Sequence, residues 1–141
     1  MDGNSFKNVA RRLVIELTAA ALLVGIVHSH FPEAKPYAQS WEFVLTHPLL
    51  LLHVIVSTIV LAEASILLAR SLPSSNRSWI ILASTGLAFV LLAFVSGERY
   101  VATQRPTTIV LMDLGWLGAS VTYGLGWYLG RKETPASPIE A

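Results

Sequence analysis

The chain has no cysteine among its 141 residues. This absence excludes disulfides, Cys-ligated zinc, iron–sulfur clusters and thiol redox chemistry within the chain. Charged residues are also scarce: they make up 13% of the sequence, whereas about 25% is usual in a soluble domain. The net charge of +1 gives no indication of nucleic-acid binding. Any metal or redox role must therefore use His, Met or carboxylate side chains.

Hydrophobic residues make up 53% of the sequence and are concentrated in long apolar runs. A membrane-spanning helix needs about 20 such residues at a rise of about 1.5 Å each. The runs of sufficient length cover residues of about 9–30, 47–70, 79–97 and 107–130. We therefore predict an all-α integral membrane protein, with four transmembrane helices in an antiparallel up-down bundle that forms a single domain over residues 1–130. The charged, Pro-containing segment 131–141 is predicted to be a disordered cytoplasmic tail.

The connections between the runs are short. Between the first two runs, Ser40 followed by an apolar stretch predicts a short helix at the membrane interface. We expect Thr46 to cap the second spanning helix, with Pro48 in its first turn, where the missing N–H costs little. Residues 97–106 are predicted to form a second outer loop. Loops this short leave no room for an extramembrane enzyme site, so catalysis by this chain alone is not expected.

Basic residues are divided unevenly between the two ends of the predicted spans. One end holds seven of them: Lys7, Arg11, Arg12, Arg70, Arg77, Arg131 and Lys132. The other holds three: Lys35, Arg99 and Arg105. Because loops on the cytoplasmic side carry an excess of Lys and Arg, we expect both termini to lie in the cytoplasm and the protein to lie in the plasma membrane.

Two histidines in the outer half of the predicted bundle are the leading functional candidates. His53 lies inside the second run, and ionisable groups within spans are functional candidates. His28 falls on the same helical face as Ala21 and Gly25, small residues that mark a packing face, so it is predicted to point inward. Two inward imidazoles on neighbouring antiparallel helices can ligate a b-type haem.

Other residues near that depth fit the same hypothesis. Asp113 can accept the second N–H of a ligand His, and Arg99 or Arg105 can meet the haem propionates. The sequence therefore favours a membrane-anchored haem b subunit that takes part in electron transfer at the outer face, as one subunit of a membrane oxidoreductase.

The sequence leaves two alternatives open. In the first, His53 only forms a hydrogen bond with a neighbour such as Asp113, and the chain is a non-catalytic accessory subunit of a larger membrane enzyme. In the second, His28 and His53 form part of a copper or zinc site at the outer face, for which His30, His47 and Asp113 are the further candidate ligands.

The acidic residues of the inner half are harder to interpret. Glu16 lies four residues after Arg12, so an intrahelical ion pair between them is predicted. Glu63 is too deep to reach Arg70 directly and is a candidate proton or quinone-headgroup site. Together with Asp113, Glu63 would also suit a small proton-coupled transporter, which would have to oligomerise.

The predicted partners are the lipid bilayer and other membrane subunits or a second copy of this chain. The last run carries Gly126 and Gly130 at the GxxxG spacing that lets helices approach closely. A partner helix docking on these glycines is one interpretation. The alternative is that they pack against helices of the same chain.

Overall fold

The computed structural model describes residues 3–27 and 37–132, and these residues form five helices and no strand. The helices are α1 (Gly3–Val27), α2 (Tyr37–Thr46), α3 (Pro48–Ser71), α4 (Arg77–Thr103) and α5 (Pro106–Lys132). Arg131 and Lys132, at the start of the predicted tail, belong to α5. The rest of that tail, and both His28 and His30, lie outside the described residues.

Three of these helices are long and apolar enough to cross a membrane. The mean hydropathy of their most apolar segments is 2.2 in α3, 2.2 in α4 and 1.3 in α5. They indicate a multi-pass membrane protein. The helix α1 is not among the three, and its 25 residues include Arg11, Arg12 and Glu16. The fourth span therefore stays a prediction.

The junction between α2 and α3 differs from the predicted one. The short helix α2 extends through Thr46, whose hydroxyl donates to the Glu42 carbonyl at 2.8 Å. His47 occupies the N-cap position of α3 and makes no side-chain capping bond. The prediction that Thr46 caps this helix is therefore wrong, because its hydroxyl is engaged within the preceding helix.

The helix α4 continues past Gly97 as far as Thr103, so most of the predicted outer loop is helical. Gln104 caps this end of the helix: it adopts the left-handed conformation at φ 51° and donates its backbone N–H to the Tyr100 carbonyl at 2.7 Å. The helix α5 begins at Pro106, since proline lacks the N–H that a helix interior needs but fits its first turn.

The four long helices pack side by side, with α1 and α4 each in contact with both α3 and α5. The end that holds Lys7, Arg70, Arg77 and Arg131 is called the basic end below, and the opposite end, where α2 lies, is called the α2 end. At the basic end large side chains fill the interior. The rings of Phe6 and Trp79 stack with their centroids 4.5 Å apart, and both side chains are buried.

The two glycines of the GxxxG pair face α1 of the same chain. A Cβ on Gly126 would lie 2.6 Å from the Phe6 ring, and a Cβ on Gly130 would lie 2.8 Å from the Lys7 Cβ. The internal-packing interpretation of these two residues is therefore confirmed. A partner helix cannot pack on this face of α5 while α1 covers it.

Candidate functional site

A large cavity lies between the long helices at the α2 end of the molecule. Its volume is about 1060 Å³, at the upper end of the range of about 300–1,000 Å³ that is usual for small-molecule sites. All five helices contribute to its walls, and α2 does so through Trp41 and Val44. The surrounding side chains are mostly aliphatic or aromatic, so the cavity suits a large apolar ligand.

Small residues create this space. The wall includes Ala20, Ala21, Gly25, Ala93 and Gly97. A Cβ built on Gly25 would meet nothing within 4 Å, which shows how open this part of α1 is. The helices therefore pack tightly where Phe6 and Trp79 fill the basic end, and they leave a void where glycine and alanine replace large side chains.

His53 is the half-buried imidazole in the cavity wall. Its Nδ1 lies 2.9 Å from the carbonyl oxygen of Ala20 on α1. A carbonyl oxygen can only accept a hydrogen bond, so Nδ1 must carry the proton and donate it. In the neutral imidazole the other ring nitrogen, Nε2, is then unprotonated and has a lone pair available. Metal-ligating histidines are commonly held in this way, with one nitrogen bonded to a backbone carbonyl.

Asp113 lines the same cavity from α5. However, the His53 N–H donates to the Ala20 carbonyl and not to Asp113. Glu98 on α4 is a second carboxylate in the wall. The sequence prediction missed Glu98 because it placed this residue in a loop. Its neighbour Arg99 is exposed and is not among the described residues that line the cavity.

Two tryptophans complete the wall. The indole N–H of Trp116 donates to the Leu17 carbonyl on α1 at 2.8 Å, which ties α5 to α1. The indole N–H of Trp41 is buried and has no hydrogen-bond partner within the part of the chain that the structure describes. Trp41 is thus a donor that an acceptor group on a ligand can satisfy.

Glu63 lies away from the cavity, in an ion pair between α3 and α1. The Nη2 of Arg12 lies 2.6 Å from one carboxylate oxygen of Glu63, and the Nε of Arg12 donates to the other at 3.1 Å. The predicted pairing of Arg12 with Glu16 is therefore wrong. One carboxylate oxygen of Glu16 is buried without a hydrogen-bond partner among the described residues. A proton or quinone role for Glu63 stays a prediction.

A metal site built from several protein ligands does not appear in residues 3–27 and 37–132, where no three His, Asp or Glu side chains come together. His47 lies on the surface with its ring against Phe43, at a centroid distance of 3.6 Å. Because His28 and His30 lie outside the described residues, a copper or zinc site that includes them stays a prediction.

The sequence matches no known protein-family model, no curated protein and no solved structure.

Proposed function

We propose that this chain is a four-span membrane protein that binds haem b in the cavity, with His53 as a ligand of its iron, and takes part in electron transfer at the outer face of the plasma membrane. Haem supplies one-electron chemistry when it is bound. The residues of the chain hold the group, orient its ligand and exclude water from it. His28 is proposed as the second ligand, and both termini are proposed to be cytoplasmic.

The observation that carries this proposal is the hydrogen bond from His53 Nδ1 to the Ala20 carbonyl at 2.9 Å. It fixes the tautomer in which Nε2 can coordinate iron, on a ring that lines the cavity. A histidine needed only for packing could use either nitrogen and would require no adjacent void. The combination of a fixed tautomer and a large apolar space supports a metal-containing macrocycle.

The size and polarity of the cavity also fit. A macrocycle presents broad apolar faces, which the aliphatic and aromatic wall would cover. The Trp41 N–H supplies a donor for an acceptor group at the edge of the ligand. Asp113 and Glu98 are carboxylates and would repel propionates, whereas Arg99 is the cation that would hold them.

The proposed topology is supported by the packing of α1. This helix lies against α3 and α5, both long enough to span, so it would enter the bilayer with them despite its charges. Arg12 and Glu63 satisfy each other in an ion pair, which lowers the cost of placing both near hydrocarbon. The distribution of seven basic residues against three supports cytoplasmic termini.

The test is the absorption spectrum of the chain purified in mild detergent after expression with adequate haem supply. We expect a Soret band in the unsubstituted protein and its loss in His53→Ala. His47→Ala is the matched control, because His47 is an exposed histidine outside the cavity, and it should keep the band. A colourless unsubstituted protein, or a full Soret band in His53→Ala, would overturn the proposal.

A further inference from the structure

The basic end carries cations from all four long helices. They are Lys7, Arg11, Arg70, Arg77, Arg131 and Lys132. The acidic residues of the described part of the chain lie deeper or at the other end of the molecule: Glu16, Glu42, Glu63, Glu98 and Asp113. In the sequence, the nearest further acids are Asp2 and Glu133, which lie outside the described residues. This end of the protein therefore attracts anions.

Three of the cations lie along the surface where α1 and α5 pack together, and this surface is called the groove below. On α1, Lys7 lies on the side that faces α5, since its Cβ would be 2.8 Å from a Cβ on Gly130. Arg11 follows one turn later, about 40° further round the helix toward the surface, and it is exposed. On α5, the Arg131 guanidinium lies 4.5 Å from the centre of the Trp127 ring.

Arg131 lies on the α1 side of α5. It follows Trp127 by four residues and so shares its face, and it is about 60° round the helix from Trp116, whose indole N–H donates to the Leu17 carbonyl on α1. Lys132 is a further 100° round the helix and covers a different ring, that of Tyr128, at 4.8 Å. Arg70 and Arg77 lie at the turn between α3 and α4. The three cations along the groove and the other three, Arg70, Arg77 and Lys132, are thus two separate sets with the same total charge.

We propose that the groove between α1 and α5 binds the phosphate headgroup of an anionic glycerophospholipid, through Lys7, Arg11 and Arg131. Guanidinium and ammonium groups are the usual partners of phosphate oxygens, and basic pockets between spanning helices bind lipid headgroups. Trp127 suits the interface region, where indole rings concentrate.

The lipid proposal is independent of the haem proposal, since the groove lies at the opposite end of the molecule from the cavity.

The experiment that tests it is lipid binding to the full chain in detergent, measured by native mass spectrometry with added phosphatidylglycerol or phosphatidylcholine. Each cation near an anionic headgroup contributes about 1 kcal/mol, which is about fivefold in affinity. The triple variant Lys7→Gln, Arg11→Gln, Arg131→Gln should therefore bind phosphatidylglycerol about a hundredfold more weakly.

The matched control is Arg70→Gln, Arg77→Gln, Lys132→Gln, which removes the same charge from the same end. It should change phosphatidylglycerol affinity less than tenfold, and neither triple variant should change phosphatidylcholine binding. Equal loss in the two triple variants would overturn the proposal, because it would show a general charge effect with no site.

Two further arms separate the remaining possibilities. Inorganic phosphate at millimolar concentration should not displace the lipid; displacement would show a site for free phosphate and would overturn the lipid assignment. If the triple variant does not fold, the charge-retaining variant Lys7→Arg and the single variant Arg131→Gln replace it. The first should bind as the unsubstituted chain does, and the second should lose about fivefold. Any other pattern in these two variants contradicts the proposal.

Discussion

Gly115 and Gly124 lie on the same helix, yet their surroundings differ completely. A Cβ on Gly115 would lie 2.6 Å from the Ala93 backbone nitrogen and 2.8 Å from the Phe89 carbonyl oxygen. Backbone atoms of α4 cannot move aside as a flexible side chain can. A Cβ on Gly124 would meet nothing within 4 Å. Of these two glycines, only Gly115 is therefore needed for close approach of two helices.

We predict that Gly115→Ala destabilises the protein by about 1–3 kcal/mol, because it forces α4 and α5 apart. Gly124→Ala should leave stability unchanged or raise it by up to about 1 kcal/mol, because alanine favours the helix more than glycine does. Denaturant unfolding in one detergent, followed by circular dichroism, checks both. A loss in Gly124→Ala as large as that in Gly115→Ala would contradict this account of the α4–α5 contact.

At the residue scale, the sequence identified His53 but not its hydrogen-bond partner. A histidine inside an apolar run is conspicuous, because polar groups in hydrocarbon are costly. Nothing in the sequence distinguishes the Ala20 carbonyl, because every residue has a carbonyl. Only the relative position of α1 and α3 makes this one the partner of His53. Glu98 was missed for a related reason: a charge after Gly97 favoured a loop, whereas α4 continues through both residues.

At the scale of elements, the ion pair between Arg12 and Glu63 and the bond between His53 and Ala20 connect the same two helices. Glu63 and His53 are both on α3, and Arg12 and Ala20 are both on α1. Two polar contacts at different depths fix how far one helix is displaced along the other. The ion pair at one depth thereby helps to hold the Ala20 carbonyl opposite His53 at the other.

We predict a coupling free energy of about 1 kcal/mol between Arg12 and Glu63. The side chain of Arg12 is 60% exposed and that of Glu63 is 19% exposed, so the value should be nearer that of a surface pair than that of a buried pair. The measurement is a double-mutant cycle of Arg12→Gln and Glu63→Gln in the free energy of unfolding. Arg11→Gln is the control, and its effects should be additive with those of Glu63→Gln. Zero coupling for the Arg12 pair would contradict the assigned contact.

The sequence predicts elements better than it predicts contacts between them. Apolar runs located α3, α4 and α5, and the aromatic stretch after Ser40 located a short helix that in fact begins at Tyr37. The spacing of Arg12 and Glu16 favoured a local pair, as i, i+4 charges usually do. The structure instead pairs Arg12 with a residue 51 positions away, which no local pattern can show.

At the scale of the whole molecule, the cavity belongs to no single element. Its wall takes small residues from α1 and α4, His53 from α3, Asp113 from α5 and Trp41 from α2. The sequence showed small residues on several helices and assigned them all to close packing. Some do pack closely, as Gly126 and Gly130 do, whereas those at the α2 end surround an empty volume. Only the assembled helices distinguish the two uses.

The most direct test of this account is rescue of His53→Ala by free imidazole. If His53 ligates haem from the cavity wall, truncating it to alanine leaves space in which imidazole can bind in its place. We predict that the Soret band lost in His53→Ala returns when imidazole is added. His47→Ala should show the band without added imidazole. A His53→Ala protein that retains the band without imidazole, or that stays colourless with imidazole while remaining folded by circular dichroism, would contradict ligation by His53.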